Sequence, residues 1–312
     1  MTKLKRLAAI LDVSVDLIEG WLYNKHGQHN QASHGKGRSG MAATKKDADG
    51  KHVMADGSPL PKHVPRLPPA WTGVTVATDP KAALVARGKD AKGRTQSVYS
   101  ADHTMKQAQQ KFLRVNKLRK ELDAIDGKIT TDMKSKDPSV ASAASVLALI
   151  NHTGLRPGSS KDTGAEKKAY GATTLEGRHV VKSSDGVRLK FTGKKGVSLD
   201  IPVTDANIAK MLVARSNESG ADGKLFQTNG SKLRAYTKSV TGGFKPKDFR
   251  TAKGTNTAVK VMTTMPAPKN KQEYKKSVKA VATVVAAQLG NTAVIALQSY
   301  IDPAVFSSWG LG

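Results

Sequence analysis

Two arginines, three lysines, an amide and a phenol lie in blocks whose neighbours would hold them in place. Arg156 falls in Thr153-Gly154-Leu155-Arg156-Pro157-Gly158-Ser159, just beyond an apolar run from Val140 to His152. That run reads as a helix begun at Asp137-Pro138-Ser139 and ended by Gly154. A planar guanidinium held rigidly after a buried helix suits bidentate contact with two phosphate oxygens, which a lysine cannot reproduce. Arg250 sits in a second block, Lys245-Pro246-Lys247-Asp248-Phe249-Arg250-Thr251. Lys194 and Lys195 occupy Gly193-Lys194-Lys195-Gly196, a turn between two alternating runs, Val187, Leu189, Phe191 and Val197, Leu199, Ile201. A lysine at such a tip can move a proton if neighbouring positive charge or burial brings its pKa towards working pH.

The C-terminal elements follow the same logic. Val278, Val281, Val284, Val285 and Leu289 form the buried stripe of a helix closed by Gly290, and a shorter helix then carries Tyr300 in Ser299-Tyr300-Ile301-Asp302-Pro303. Asn291, nine residues before that tyrosine, offers an amide able to donate a hydrogen bond to a phosphoryl oxygen without bringing charge.

These blocks, in this order, resemble the active site of a type IB DNA topoisomerase of the poxvirus and bacterial kind. Tyr170-Gly171-Ala172-Thr173-Thr174-Leu175 is a further shared block, and the resemblance spans about 65 to 306. It implies that Tyr300 becomes linked to a DNA 3′-phosphate, that Arg156, Arg250 and Asn291 stabilise charge on the phosphate, and that Lys194 protonates the departing 5′-oxygen. Lys247 is implied as an auxiliary in that proton transfer, and no cofactor, metal or ATP is implied. Tyrosine recombinases, the sister family, carry histidine three residues before the second arginine, where this chain has Lys247. Viral members usually have histidine at the position of Asn291 and bacterial members asparagine. The proline that commonly follows the threonine of this motif is replaced by Ala293, which is expected to loosen a helix start.

The fold class implied is α+β: a small β-rich N-terminal domain and a mainly α catalytic domain with a β-hairpin or sheet, closing as a monomeric clamp around double-stranded DNA. The block at 63–133 opens with Pro65-Arg66-Leu67-Pro68-Pro69-Ala70-Trp71, continues through β-like runs at Val74 to Ala77 and Ala83 to Arg87, and reaches a basic turn running into Gln96 to Tyr99. In the family the equivalent strand lies against the major groove, so Arg94, Gln96, Tyr99, Lys92 and, on the catalytic side, Lys195 become DNA-contact candidates. Gln96 can pair with an adenine edge and Arg94 can reach guanine or phosphate. Ser97 stands where relatives often have an aromatic residue. A charged helix over about 103 to 126, with Phe112, Val115, Leu118, Leu122 and Ile125 as its core stripe, bridges to the catalytic domain at 134–306, and 307–312 is a tail.

Residues 1–24 read as a helical segment in which Leu7-Ala8, Leu11, Val13-Ser14, Ile18 and Trp21-Leu22 resemble the core of a repressor-type helix-turn-helix; a docking helix fits equally. Residues 25–62, rich in Gly, Ser, His, Lys and Asp without apolar period, read as a flexible linker, with His26, His29 and His34 as part of a solvated tract.

Bulk properties agree. The 312 residues carry 51 Lys plus Arg against 25 Asp plus Glu, a formal charge of +26. Such an excess attracts a polyanion and makes binding fall steeply with salt. Aromatic residues at 5% argue against a stacking-based single-strand binder and for contacts to duplex phosphates. With no cysteine there is no disulfide framework, thiolate metal site or thiol nucleophile. The longest apolar stretch, Val278 to Leu289, is too short to span a bilayer, and residues 3 to 23 are too polar for a secretory signal. The expectation is a soluble protein of the cytoplasm or nucleoid, with no membrane partner, of host, phage or mobile-element origin. Two other readings remain: a tyrosine recombinase, and a non-catalytic basic DNA-binding protein that has kept the fold.

Overall fold

The structure, a computed structural model, describes residues 40–159 and 168–310. The helix-turn-helix resemblance in 1–24 and the histidine tract lie outside the described residues. The chain forms two compact units that divide between Gln110 and Lys111, inside a helix rather than at the expected boundary near 133.

The smaller unit is an antiparallel five-stranded sheet in the order β2-β1-β3-β4-β5, built from β1 (Met41–Lys46), β2 (His52–Met54), β3 (Thr72–Ala77), β4 (Leu84–Lys89) and β5 (Thr95–Tyr99). Val64, Leu67, Val74, Val76, Val85 and Ala86 make its core, with Trp71 packed against it. β1 and β2 correct the reading of 25–62 as linker throughout. Ala42 and Ala43 pair with β3, and Thr44 to Lys46 pair with β2. Met-Ala-Ala-Thr-Lys-Lys has too little apolar contrast to announce a strand, and its pairing partners stabilise it instead.

The larger unit holds the remaining elements. α1 (Ala101–Asp132) begins in the smaller unit and enters this one at Lys111, where Val115, Leu118, Ile125 and Ile129 are buried. α2 (Pro138–Thr153) is the central helix, with Ser142 to Ile150 all buried. Asp137 caps its start by accepting from the Ser139 and Val140 amides, and Gly154, at φ 73, ends it in the left-handed conformation that glycine adopts without Cβ strain. A three-stranded antiparallel sheet follows, β6 (Val180–Ser183), β7 (Gly186–Thr192) and β8 (Ser198–Val203), with Leu189 and Phe191 facing the core. The expected hairpin is therefore two strands of a three-stranded sheet. Val197 is 42% exposed because it belongs to the turn rather than to β8.

α3 (Ala206–Ser219) and α4 (Gly230–Thr241) precede α5 (Pro246–Met262), α6 (Lys271–Leu289) and α7 (Ala293–Tyr300). α5 packs on α2, α6 and α7. The stripe expected on α6 holds at Val278, Val281, Val285 and Leu289, but Val284 is 45% exposed: three residues from Val281 and one from Val285, it lies just beyond the edge of the buried arc. Thr292 accepts from the Ile295 amide, and α7 starts directly after it at Ala293. Of the residues 307–312 expected as tail, Trp309 joins the core. Trp309 is buried, its ring centroid 6.1 Å from that of Tyr274 in an edge contact, because an indole released to water would expose a large apolar area. Among the described residues no single helix is long and apolar enough to cross a membrane.

Candidate active site

The larger unit brings Arg156, Lys194, Lys247, Arg250, Asn291 and Tyr300 into one electrostatic neighbourhood. α5 supplies the foundation. Its first turn is closed by Asp248, which accepts from the Lys245 amide at 2.9 Å and is gripped by Arg114 of α1 through Nε at 2.9 Å and Nη2 at 3.0 Å. Two turns of sequence thus set the orientation of Lys247 and Arg250.

Arg250 is 2% exposed. Its Nη1 donates to the Gly154 carbonyl at the end of α2 and its Nη2 to the Leu289 carbonyl at the end of α6, at 2.6 Å. The guanidinium therefore ties two helix C-termini, where carbonyl dipoles favour a cation. Its Nε is buried and meets no hydrogen-bond acceptor in good geometry among the described residues, although the guanidinium as a whole lies close enough to the Tyr300 hydroxyl for the two to favour each other's charged forms. Burial brings the Arg250 pKa down to about 10, against the opposing influence of Tyr300, so the group stays charged at neutral pH.

Arg156 follows Gly154 and Leu155, and its loop is pinned by the Tyr170 to Leu175 block: the Ala172 amide donates to the Arg156 carbonyl at 2.9 Å and Thr173 to the Pro157 carbonyl at 2.8 Å. Its Nη2 donates to Oδ1 of Asn291. That contact orients the amide, leaving Asn291 Nδ2 buried and without a partner. Among the described residues, two buried donors of this site, Arg250 Nε and Asn291 Nδ2, thus lack a hydrogen-bond partner. Buried polar groups are almost always paired, so such a pair marks a place for an acceptor such as a phosphoryl oxygen.

Tyr300 ends α7 and is 5% exposed, with the Arg250 guanidinium 4.6 Å from its ring centroid. Burial opposes ionisation of the phenol, but the positive charges of Arg250, Lys247 and Arg156 outweigh it and hold the phenol below its ordinary pKa. Lys194 projects from the β7–β8 turn, where Lys195 takes a positive φ of 67° and Gly193 donates to the Val197 carbonyl at 2.7 Å. Desolvation first, then the charges of Arg156, Lys195 and Lys247, lower the Lys194 pKa, while Tyr300 opposes the shift. Lys194 and Lys195 are both exposed on this turn.

The seat of Tyr300 was not legible in the sequence. Thr255 Oγ1 donates to the Tyr300 carbonyl at 3.2 Å and accepts from the Asp302 amide at 3.1 Å. One turn of α5 away from Arg250, Gly254 lets the backbones touch: a Cβ there would stand 2.7 Å from the Tyr300 carbonyl oxygen and 3.0 Å from Tyr300 Cβ. Gly254→Ala is expected to displace α7 and slow single-turnover DNA cleavage about 100-fold, as a misplacement near 1 Å does. A quench-flow time course checks this, and an unchanged rate would show that α7 absorbs the methyl group. A glycine mid-helix, unfavourable by propensity, was the available signal.

The DNA-contact candidates of the smaller unit cluster on the β4–β5 hairpin. Arg94 Nε and Gln96 Nε2 each donate to Asp90 Oδ2 at 2.8 Å, and the Lys92 and Arg94 amides both donate to Asp90 Oδ1 at 3.0 Å. These contacts, the Arg94 hydrogen bond foremost, hold the Asp90 carboxyl far below its usual range. Asp90 therefore prearranges Arg94 and Gln96, a role that an aspartate at the first position of a turn foreshadows. Tyr99 stacks on His103, centroids 5.0 Å apart.

Comparison with known proteins places the chain in a family. Residues 100–301 match the model of the family described as eukaryotic DNA topoisomerase I, catalytic core. The chain is 29% identical over 255 residues to DNA topoisomerase 1B of Acanthamoeba polyphaga mimivirus, covering 76% of this chain and 75% of the viral protein. It is 28% identical over 198 residues to DNA topoisomerase 1B of vaccinia virus (strain Copenhagen), covering 60% of this chain and 62% of that protein. With about two-thirds of its length matched, the chain belongs to the DNA topoisomerase I family. Within it, the chain is a DNA topoisomerase of the IB type, an isomerase acting on DNA.

Proposed function

We propose that this protein relaxes supercoiled duplex DNA by transient cleavage of one strand, with Tyr300 as the nucleophile. The phenol gives up its proton to solvent water and its oxygen attacks the scissile phosphorus in line. The Tyr300 O–P bond forms as the P–O5′ bond breaks, leaving a 3′-phosphotyrosine and a free 5′-hydroxyl. Arg156, Arg250 and Asn291 neutralise or hydrogen-bond the non-bridging oxygens, Lys194 gives its proton to the departing O5′, and Lys247 keeps Lys194 acidic. Phosphoryl transfer asks mainly for positioning and electrostatic stabilisation, which these cationic side chains supply. The bond energy stays in the phosphotyrosine while the free strand swivels, and the 5′-hydroxyl reverses the step.

The observation that carries this reading is the pair of buried, unpartnered donors, Arg250 Nε and Asn291 Nδ2, beside a buried tyrosine whose phenol is held below its ordinary pKa. In this reading Lys92, Arg94, Gln96 and Tyr99 of the smaller unit contact the duplex, Lys195 reaches a flanking phosphate, and a monomer closes on the DNA.

Denaturing a reaction of protein with end-labelled duplex tests the proposal. A covalent adduct on the fragment bearing the 3′-phosphate is expected, with relaxation of both positive and negative supercoils in the presence of chelator. Retarded plasmid mobility with no adduct would instead mean a binding protein. Strand exchange between defined sites, without relaxation, would mean a recombinase.

A further inference from the structure

The carbonyl end of α7 is held by side chains from two other helices. An α-helix leaves its last carbonyls without intrahelical partners, and α7 has only eight residues with no basic side chain in its final turn. Thr255 of α5 takes the Tyr300 carbonyl. The Ser299 carbonyl, which belongs to the peptide bond leading into Tyr300, accepts from Nζ of Lys111 on α1 at 3.3 Å. A cation at this point is also favoured by the negative end of the helix dipole.

We propose that Lys111 is a positioning residue of the cleavage reaction, a cation on α1 that caps the carbonyl end of α7 and fixes the peptide carrying the nucleophile. The neighbouring contacts of α1 converge on the same pieces. Arg114 holds Asp248 at the start of α5, Asn116 Nδ2 donates to Asp302 Oδ2 at 2.7 Å just after the nucleophile, and Arg119 Nε donates to Asn256. One face of α1 therefore grips the helix bearing Arg250 and both flanks of Tyr300. Lys111 is the cation of that set that touches α7 itself, with Nζ also 4.0 Å from the Phe112 ring centroid.

The charge on Lys111 is conditional. Burial, then the charge of Lys247, bring its pKa down to about 7; Arg114 pushes the same way, while Asp302 and Asp248 oppose. Those are the charged groups facing it from α5, from α1 itself and from the segment after α7. Protonation is complete below that pKa and is lost as pH rises through it, and an ammonium caps a carbonyl more strongly than a neutral amine. A bound DNA phosphate opposes this loss and moves the titration upward from that value.

The inference rests on Tyr300 as nucleophile, and its test is the pH dependence of single-turnover cleavage by Lys111→Met and Lys111→Arg in the full chain. At pH 6 Lys111→Met is expected to cleave about tenfold more slowly than wild type with unchanged DNA affinity, the deficit closing towards pH 9 as the wild-type lysine loses its proton. Lys111→Arg keeps its charge, so it matches wild type at pH 6 and outpaces it at pH 9. This second ratio is informative even if the methionine variant folds poorly. A wild-type to Lys111→Arg ratio that is flat with pH, or Lys111→Met equal to wild type at pH 6, overturns the proposal. An adduct that survives in Tyr300→Phe would instead remove the reading on which it rests, a result distinguishable from either.

Discussion

Tyr300→Phe is expected to lower covalent adduct formation by at least about 10⁴-fold and to abolish plasmid relaxation, with DNA affinity kept within about twofold. The substitution removes one oxygen and little else. The ring is 5% exposed, packs in the core that includes Leu289, Leu297 and Phe306, and faces the Arg250 guanidinium, so phenylalanine keeps the packing. The residual reaction would lack a nucleophile while keeping the phosphate clamp. Because the wild-type phenol is held below its ordinary pKa, its reactive phenolate fraction at neutral pH exceeds that of a free tyrosine and grows with pH until ionisation is complete. Gel-resolved adduct measured alongside an equilibrium binding titration checks both halves. An adduct of undiminished rate in Tyr300→Phe would transfer the nucleophile to another residue.

The second large effect is expected at the β7–β8 turn. Lys194→Met should slow cleavage by roughly 10² to 10⁴-fold, the range for loss of a general acid, whereas Lys195→Met should cost less than about fivefold. Desolvation and then the charge of Arg156 lower the Lys194 pKa, which places its amine beside the other cations of the site. Lowering that pKa makes it a better donor to an alkoxide while leaving it protonated on the acid side of its titration, so wild-type cleavage should fall as pH rises through the Lys194 value. A substrate in which sulfur replaces the leaving 5′-oxygen discriminates the role. A thiolate departs without needing a proton, since thiols ionise near pH 8.5. Lys194→Met should regain most of its rate on that substrate. Equal losses at both lysines, or no recovery with sulfur, would make Lys194 a phosphate contact instead.

Legibility followed the range of the forces involved. The capped helix ending at Gly154, the strands flanking Gly193 to Gly196 and the apolar periods of α1 and α6 are products of local spacing, and the structure contains them. β1 and β2 are not legible in the sequence because their stability comes from pairing with β3 and with each other, which a Thr-Lys-Lys segment does not advertise. Trp309 is not legible as a core residue because its partner Tyr274 stands 35 positions earlier, in the first turn of α6. Val284 departs from the expected stripe because a run of valines leaves its width undefined until neighbouring helices dock.

What the sequence determined by itself was chemical kind: a polyanion-seeking chain, two guanidinium groups in helix-flanked blocks, a lysine at a hairpin tip and a tyrosine after a short helix, all set by residue type and short spacing. Only the tertiary structure decided how these act together. It buried Arg250 between the carbonyl ends of α2 and α6, turned Asn291 so that its amide nitrogen is free, and seated Tyr300 on Gly254, Thr255 and Lys111. The physical reason is that burial, hydrogen-bond satisfaction and charge proximity depend on separations through space between residues more than 100 positions apart in the chain, such as Arg156 and Asn291.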